Sequence, residues 1–175
     1  MNRPDSLSWF YGPQSRFGFW IALLVCTIDQ ASKLWLINVY ELAGKGAVAV
    51  LPFVDFLLVW NKGISYGLFQ QDSETGRWVL FGVKVVAVVL LWVWLARAGS
   101  RFTALALGLI IGGALGNGID RLLHGAVADF VLFHIETARF SFTWYVFNLA
   151  DVAIVAGVVG LLYESLVGER AAKAP

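Results

Sequence analysis

Four stretches of this sequence, roughly residues 17–37, 78–96, 102–119 and 144–162, stay apolar long enough to cross a hydrocarbon core, which takes about 20 residues. Helices are the expected spanning form, because lipid offers no partner to an unpaired backbone N–H or C=O. The composition points the same way: 59% of the 175 residues are hydrophobic, 14% are charged, and mean hydropathy is +0.73. Soluble domains carry about 25% charged residues, and one this small has too much surface for its volume to hide the surplus. The first run is too long for a cleaved secretory signal, carries Asp29 and Lys33, and lacks a small-residue cleavage site at its end, so a retained helix is expected. The fold class that follows is a mainly α membrane protein, a single integral membrane domain over residues 1–175. It has four transmembrane helices and a small extracytoplasmic β-sheet from the first outer loop.

Basic residues orient the spans. With the N-terminus inside, Arg3, Arg16, Arg97, Arg101, Arg170 and Lys173 fall on the inner side, against Lys45, Lys62, Arg77 and Arg139 outside. Both termini are therefore expected in the cytoplasm, with Trp9, Phe10 and Tyr11 resting at the inner interface. The outer loops are about residues 38–77 and 120–143. In the first, Val54, Phe56, Leu58 and Trp60 alternate as on one face of a strand, and Asn61-Lys62-Gly63 reads as a turn. A net charge of +1 gives no reason to expect a nucleic-acid partner. The lone Cys26 excludes a disulfide framework and suits a packing role.

Charge inside a span is expensive and by default marks function. Asp29 lies twelve residues beyond Phe17, roughly 18 Å from the inner face, and Asp120 eighteen beyond Phe102, roughly 27 Å from it. Asp151 follows Trp144 by seven residues, roughly 10 Å below the outer face, and Asp129 sits near the same boundary. All four carboxylates thus gather in the outer half. Plainer readings exist for each. Asp29 and Lys33, four apart, can neutralise each other. Asn148 and Asp151, three apart, resemble a helix cap. Asn117, Asp120 and Arg121 form a polar helix terminus, and Lys84 is expected to snorkel. Gly108, Gly112 and Gly116 make a smooth packing stripe.

Hydrolytic motifs such as GxSxG and HExxH are absent, as is a phosphate-cradling glycine loop. His124 and His134 read as loop histidines without a metal, so neither a metal nor any other cofactor is expected. Paired carboxylates remain. Two adjacent aspartates hold one proton between them, so the ionised member can activate water while the protonated one polarises a carbonyl. Spacing alone leaves open which two of the four acids pair. The rival from another class is a small proton-coupled transporter or proton-conducting protein. A relay would thread acids through the full thickness, and transporters often show related halves; neither is seen here.

Five segments resemble lipoprotein signal peptidase, the signal peptidase II family. They are Asp29-Gln30-Ala31-Ser32-Lys33, Asn61-Lys62-Gly63-Ile64-Ser65-Tyr66-Gly67, Gly116-Asn117-Gly118-Ile119-Asp120-Arg121, Val127-Ala128-Asp129-Phe130 and Phe147-Asn148-Leu149-Ala150-Asp151. The resemblance implies an intramembrane aspartyl endopeptidase with Asp129 and Asp151 as its catalytic dyad. It casts Asp29, Lys33, Asn61, Gly63, Asn117, Asp120, Arg121, Asn148 and Ala150 as supporting or substrate-binding positions. The implied substrate is a diacylglyceryl-modified prolipoprotein, cut before the lipidated cysteine at the outer face of the bacterial cytoplasmic membrane. Membrane lipids, inhibition by globomycin-type peptides and a monomeric state are implied with it. One departure is visible: Ser65-Tyr66 stands where the family has a small residue, often alanine, followed by phenylalanine.

Overall fold

A computed structural model describes residues 9–63 and 74–172. The chain runs through α1 (Ser15–Asn38), a 3-10 turn (Leu42–Gly44), β1 (Val48–Leu51), β2 (Val54–Asn61), α2 (Glu74–Ala96), α3 (Arg101–His124), β3 (Val127–Thr137), β4 (Phe140–Thr143) and α4 (Leu149–Ala172). α1, α3 and the Leu149–Val167 part of α4 are long and apolar enough to cross a membrane, and Phe81–Ala96 of α2 is a shorter apolar helix. Apolar side chains such as Trp20, Leu24, Val86, Leu90, Val159 and Leu162 stand exposed along these helices, which suits lipid rather than water as solvent. Ser65-Tyr66, the departure noted above, lies outside the described residues.

α3 is the central helix, and glycine lets its neighbours approach. A Cβ added at Gly112 would sit 2.5 Å from the carbonyl oxygen of Ala22 in α1; at Gly113 it would sit 2.5 Å from that of Ala150 in α4. A Cβ at Gly116 would meet the carboxylate of Asp29 at 2.5 Å, so this glycine admits a charged group into the helix interface. Packing through small residues replaces the hydrophobic effect that lipid cannot supply. Gly112→Ala should therefore lower stability by about 1–3 kcal/mol, because backbone faces the new methyl. Thermal unfolding in detergent checks it, with Gly82→Ala, which faces open space, unchanged.

The sheet corrects the expectation from sequence. Its order is β1-β2-β3-β4, all antiparallel. Among the described residues, the first loop supplies β1 and β2, and residues 127–143 supply the other two strands. The expected face of Val54, Phe56, Leu58 and Trp60 is also broken. Phe56 pairs with Val131 and Val59 with Asp129, so β2 spends three residues where β3 spends two. This bulge switches the side-chain parity of β2. Val54, Phe56, Val59 and Asn61 now oppose Phe133, Val131, Asp129 and Val127.

Helix boundaries differ from the expected spans mainly at α4. Residues 144–148 are not helical: Trp144 N–H donates to Phe133 C=O at 2.8 Å, and Phe147 N–H to Val131 C=O at 3.0 Å. Tied to β3, the chain cannot coil until Asn148. Asp151 consequently lies in the first turn of α4, not two turns in as a helix starting at Trp144 would put it. At the other end α3 continues past Ile119 to His124, and Gly125 at φ 71° ends it in the left-handed conformation that glycine tolerates.

Candidate active site

Every residue singled out from the five segments, Ser65 and Tyr66 apart, meets at one place, where α1, α3, the start of α4 and the sheet converge. The base of the site is an ion cluster centred on Lys33. Its Nζ donates to Asp29 Oδ2 at 2.8 Å, Asp120 Oδ2 at 2.8 Å and Asn117 Oδ1 at 3.0 Å, which uses all three ammonium protons. Asp29 and Lys33 neutralise each other as their spacing suggested, and at 0% and 2% exposed they do so in the interior. Both acids also reach outward to neighbouring elements, Asp29 through its other oxygen and Asp120 through the same one. Asp29 Oδ1 accepts from the backbone N–H of Ala150 at 3.0 Å, and Asp120 Oδ2 from that of Ala128 at 3.1 Å. The cluster thus fixes the start of α4 and the start of β3 relative to α1 and α3.

Above it stand the two remaining carboxylates. Asn148 and Asp151 form a reciprocal cap on α4: Asp151 N–H donates to Asn148 Oδ1 at 3.0 Å, and Asn148 N–H to Asp151 Oδ2 at 3.2 Å. The capping reading therefore holds, and the same residues also face the site. Asn148 Nδ2 donates to Asp129 Oδ1 at 2.6 Å, and Asn117 Nδ2 to Asp151 Oδ1 at 2.9 Å. Asn61 Nδ2 donates to Asp129 Oδ2 at 3.1 Å, a contact made possible by the β2 bulge that puts Asn61 on the Asp129 side. Asn117 Oδ1 accepts from both Lys33 and Asn148, linking the ion cluster to both acids.

The two upper acids differ in surroundings. Asp129 is 3% exposed, whereas Asp151 is half-buried. Burial pushes the Asp129 carboxyl up to about 6, the Asp151 charge adds to the rise, and the Asn61 and Asn148 amides oppose it. Asp151→Asn should therefore lower the midpoint of Asp129, and Asn61→Ala should raise it. Infrared titration of the protonated carboxyl band, with Asp129→Asn as the blank, reads both shifts. Shifts in the same direction would contradict this electrostatic picture.

Arg121 closes the site on the side of the first loop. One terminal nitrogen donates to the Gly63 carbonyl, and Gly63 N–H donates to Asn61 Oδ1 at 3.0 Å in an Asx turn. Among the described residues, Arg121 Nη1 is buried without a hydrogen-bond partner. One residue escaped the sequence reading: Gln30 Nε2 donates to Asp120 Oδ1 at 2.8 Å and to the Gly116 carbonyl at 3.0 Å, bracing α1 against α3. Its polarity within an apolar run was the available signal. The histidines lie apart, His124 against the Trp60 ring at 5.1 Å and His134 at 3.2 Å from Asp55 across β2 and β3.

Comparison with known proteins bears on this arrangement. A lipoprotein signal peptidase of Nitrobacter hamburgensis is 56% identical over 160 residues, covering 91% of this chain and 98% of that protein. One from Rhodopseudomonas palustris strain TIE-1 is 54% identical over the same shares. A bacterial membrane enzyme solved by the in meso method at 2.3 Å resolution has a similar fold, with a TM-score of 0.70 at 25% identity over 91% of this chain and 92% of that one. The sequence pattern of the family described as Signal peptidase (SPase) II matches residues 21–167, a stretch that holds all four clustered acids and all five segments, and the chain belongs to that family.

Proposed function

We propose that this chain is an intramembrane aspartyl endopeptidase that removes the signal peptide from diacylglyceryl-modified prolipoproteins, cutting before the lipidated cysteine, with Asp129 and Asp151 as its dyad. As a member of the signal peptidase II family it is a lipoprotein signal peptidase and an aspartic-type protease, which retires the transporter alternative. The observation that carries the dyad is the bridge of Asn148 and Asn117 between two carboxylates of unequal burial. Two acids so placed share a proton. The ionised one takes a proton from water, whose oxygen attacks the scissile carbonyl. The protonated one donates to the carbonyl oxygen as the tetrahedral intermediate forms. Collapse of that intermediate passes a proton to the departing amine, so no covalent enzyme intermediate and no cofactor is needed. The unpartnered Arg121 Nη1 offers a charge-assisted donor for a substrate carbonyl.

The setting belongs to the same proposal. α1 to α4 form four spans of one integral membrane domain in the bacterial inner membrane, with both termini cytoplasmic and the site near the outer face. A monomer suffices, and globomycin-type peptides occupy the same site. The substrate enters sideways from the bilayer, which suits acids at a membrane boundary. An open apolar groove of about 370 Å³, lined by Val54, Val131, Phe133, Phe142, Trp144 and Phe147, cradles the peptide. The test is cleavage by purified protein in detergent. A diacylglyceryl-modified precursor should be cut before its modified cysteine, and an unmodified one left intact. Equal cutting of both would remove the lipid from the specificity, and no cutting would overturn the proposed substrate.

A further inference from the structure

The proposed hydrolysis leaves one cavity of the molecule without a role. Arg121 forms its boundary with the dyad. The guanidinium donates to the Gly63 carbonyl, whose own residue ties back through Asn61 to Asp129, while Nη1 is buried without a hydrogen-bond partner among the described residues. The same side chain lines a cavity of about 280 Å³ with His124, and Trp78 and Phe81 of α2 line it from the neighbouring helix. The last turn of α3 completes the wall through Leu122, Leu123 and the capping Gly125. His124 is held by its ring contact with Trp60 at 5.1 Å, and Trp60 pairs with Ala128, the residue before Asp129. Cavity and dyad are thus built on the same stretch of sheet and the same end of α3. Leu122, Leu123 and Trp78 are 57%, 68% and 59% exposed, so in a membrane the mouth opens onto lipid.

We propose that this cavity binds the glycerol diester head of the substrate's diacylglyceryl group. Arg121 and His124 donate to its ester carbonyls, and the acyl chains run out past Leu122, Leu123 and Trp78 into the bilayer. This rests on the function proposed above and deepens it by naming the carbonyl that Arg121 Nη1 takes. Chemistry selects the occupant. A guanidinium is donor only and a neutral imidazole brings one N–H, so the polar side chains of the lining call for acceptors. An ester supplies carbonyl oxygens and brings no donor of its own. A phosphate head group suits the place less well, because the wall is the C-terminal turn of α3, where the helix dipole opposes an anion. The volume falls just short of a typical small-molecule pocket, which fits the head of a lipid and leaves its chains outside. The apolar groove along the sheet, which takes the peptide, shares no lining residue with this cavity.

The test uses purified protein and two forms of one precursor. One carries the diacylglyceryl group; the other carries a dialkylglyceryl group, whose ether links lack the ester carbonyls. Wild type should show a KM about tenfold higher for the ether form, because buried donors lose their acceptors. His124→Leu keeps apolar bulk against Trp60 but removes the N–H. It should raise KM for the ester form about threefold to tenfold, with the loss confined to KM, and narrow the ester-to-ether ratio by the same factor. His124→Gln, which retains a donor, should restore most of both, and thermal unfolding verifies that the two variants fold. Equal KM for ester and ether in wild type overturns the proposal, and is the result expected if a bulk phospholipid fills the cavity instead. A ratio that His124→Leu leaves unchanged, or that glutamine fails to restore, overturns it as well. A wild type that cuts neither form overturns the function itself, whereas one that cuts both alike overturns this cavity's role alone.

Discussion

Asp129→Asn and Asp151→Asn should each lower kcat by about a thousandfold or more, the upper part of the range for losing general acid–base catalysis. That corresponds to about 4 kcal/mol of transition-state stabilisation. Asparagine keeps the size of the side chain but cannot cycle a proton. The two acids act as one unit, so the double variant should be little worse than either single one. Stability has to be followed alongside. Asp129 accepts from Asn148 at one oxygen and Asn61 at the other, so the substituted amide turns a donor toward one of them. Such a mismatch costs about 1–3 kcal/mol. Asp151→Asn weakens the reciprocal cap on α4 but keeps one carbonyl oxygen for it. Inactive variants that still unfold cooperatively near the wild-type temperature fit the dyad. Full turnover in either one sinks it, and Asp120 is then the acid to examine next.

Much of this site could be read before any coordinates because its parts sit on regular helices. Asp29 and Lys33 at i and i+4 had to share a face of α1, and the glycine stripe of α3 had to meet a neighbour closely. Asn148 and Asp151 carried the spacing of a cap, and the structure uses that cap as a scaffold for the acids. What stayed hidden depends on contacts distant in sequence. Strand β3 reads as a short apolar run, and nothing local says that its partner lies about seventy residues earlier. The bulge in β2 is invisible to an alternation rule, yet it alone brings Asn61 to Asp129. The start of α4 was misjudged for the same reason, since Trp144 and Phe147 are apolar enough to extend a span but are bonded to β3.

The largest effect on stability should come from Lys33→Met. The ammonium holds two carboxylates and an amide oxygen together at 2.8–3.0 Å in a site that is almost fully buried. Removing it leaves Asp29 and Asp120 buried with like charges and no cation between them. Breaking a buried pair in this way costs about 3–5 kcal/mol, far more than the intact pair contributes over an apolar replacement. Activity should fall sharply along with stability, because Asn117 loses one of the two donors that fix the oxygen end of its amide, which loosens the aim of its Nδ2 at Asp151. Lys33→Arg should fare little better, since a planar guanidinium has neither the size nor the donor geometry of an ammonium with three converging acceptors. The decisive variant combines Lys33→Met with Asp29→Asn and Asp120→Asn, which removes the charges together. It should regain a large part of the lost unfolding temperature in detergent while remaining inactive, because the ties from Asp29 to Ala150 and from Asp120 to Ala128 are weakened. A Lys33→Met variant that melts with the wild type would mean that the cluster is an ornament of the fold; the geometry makes it the joint on which the start of α4 and the start of β3 both hang.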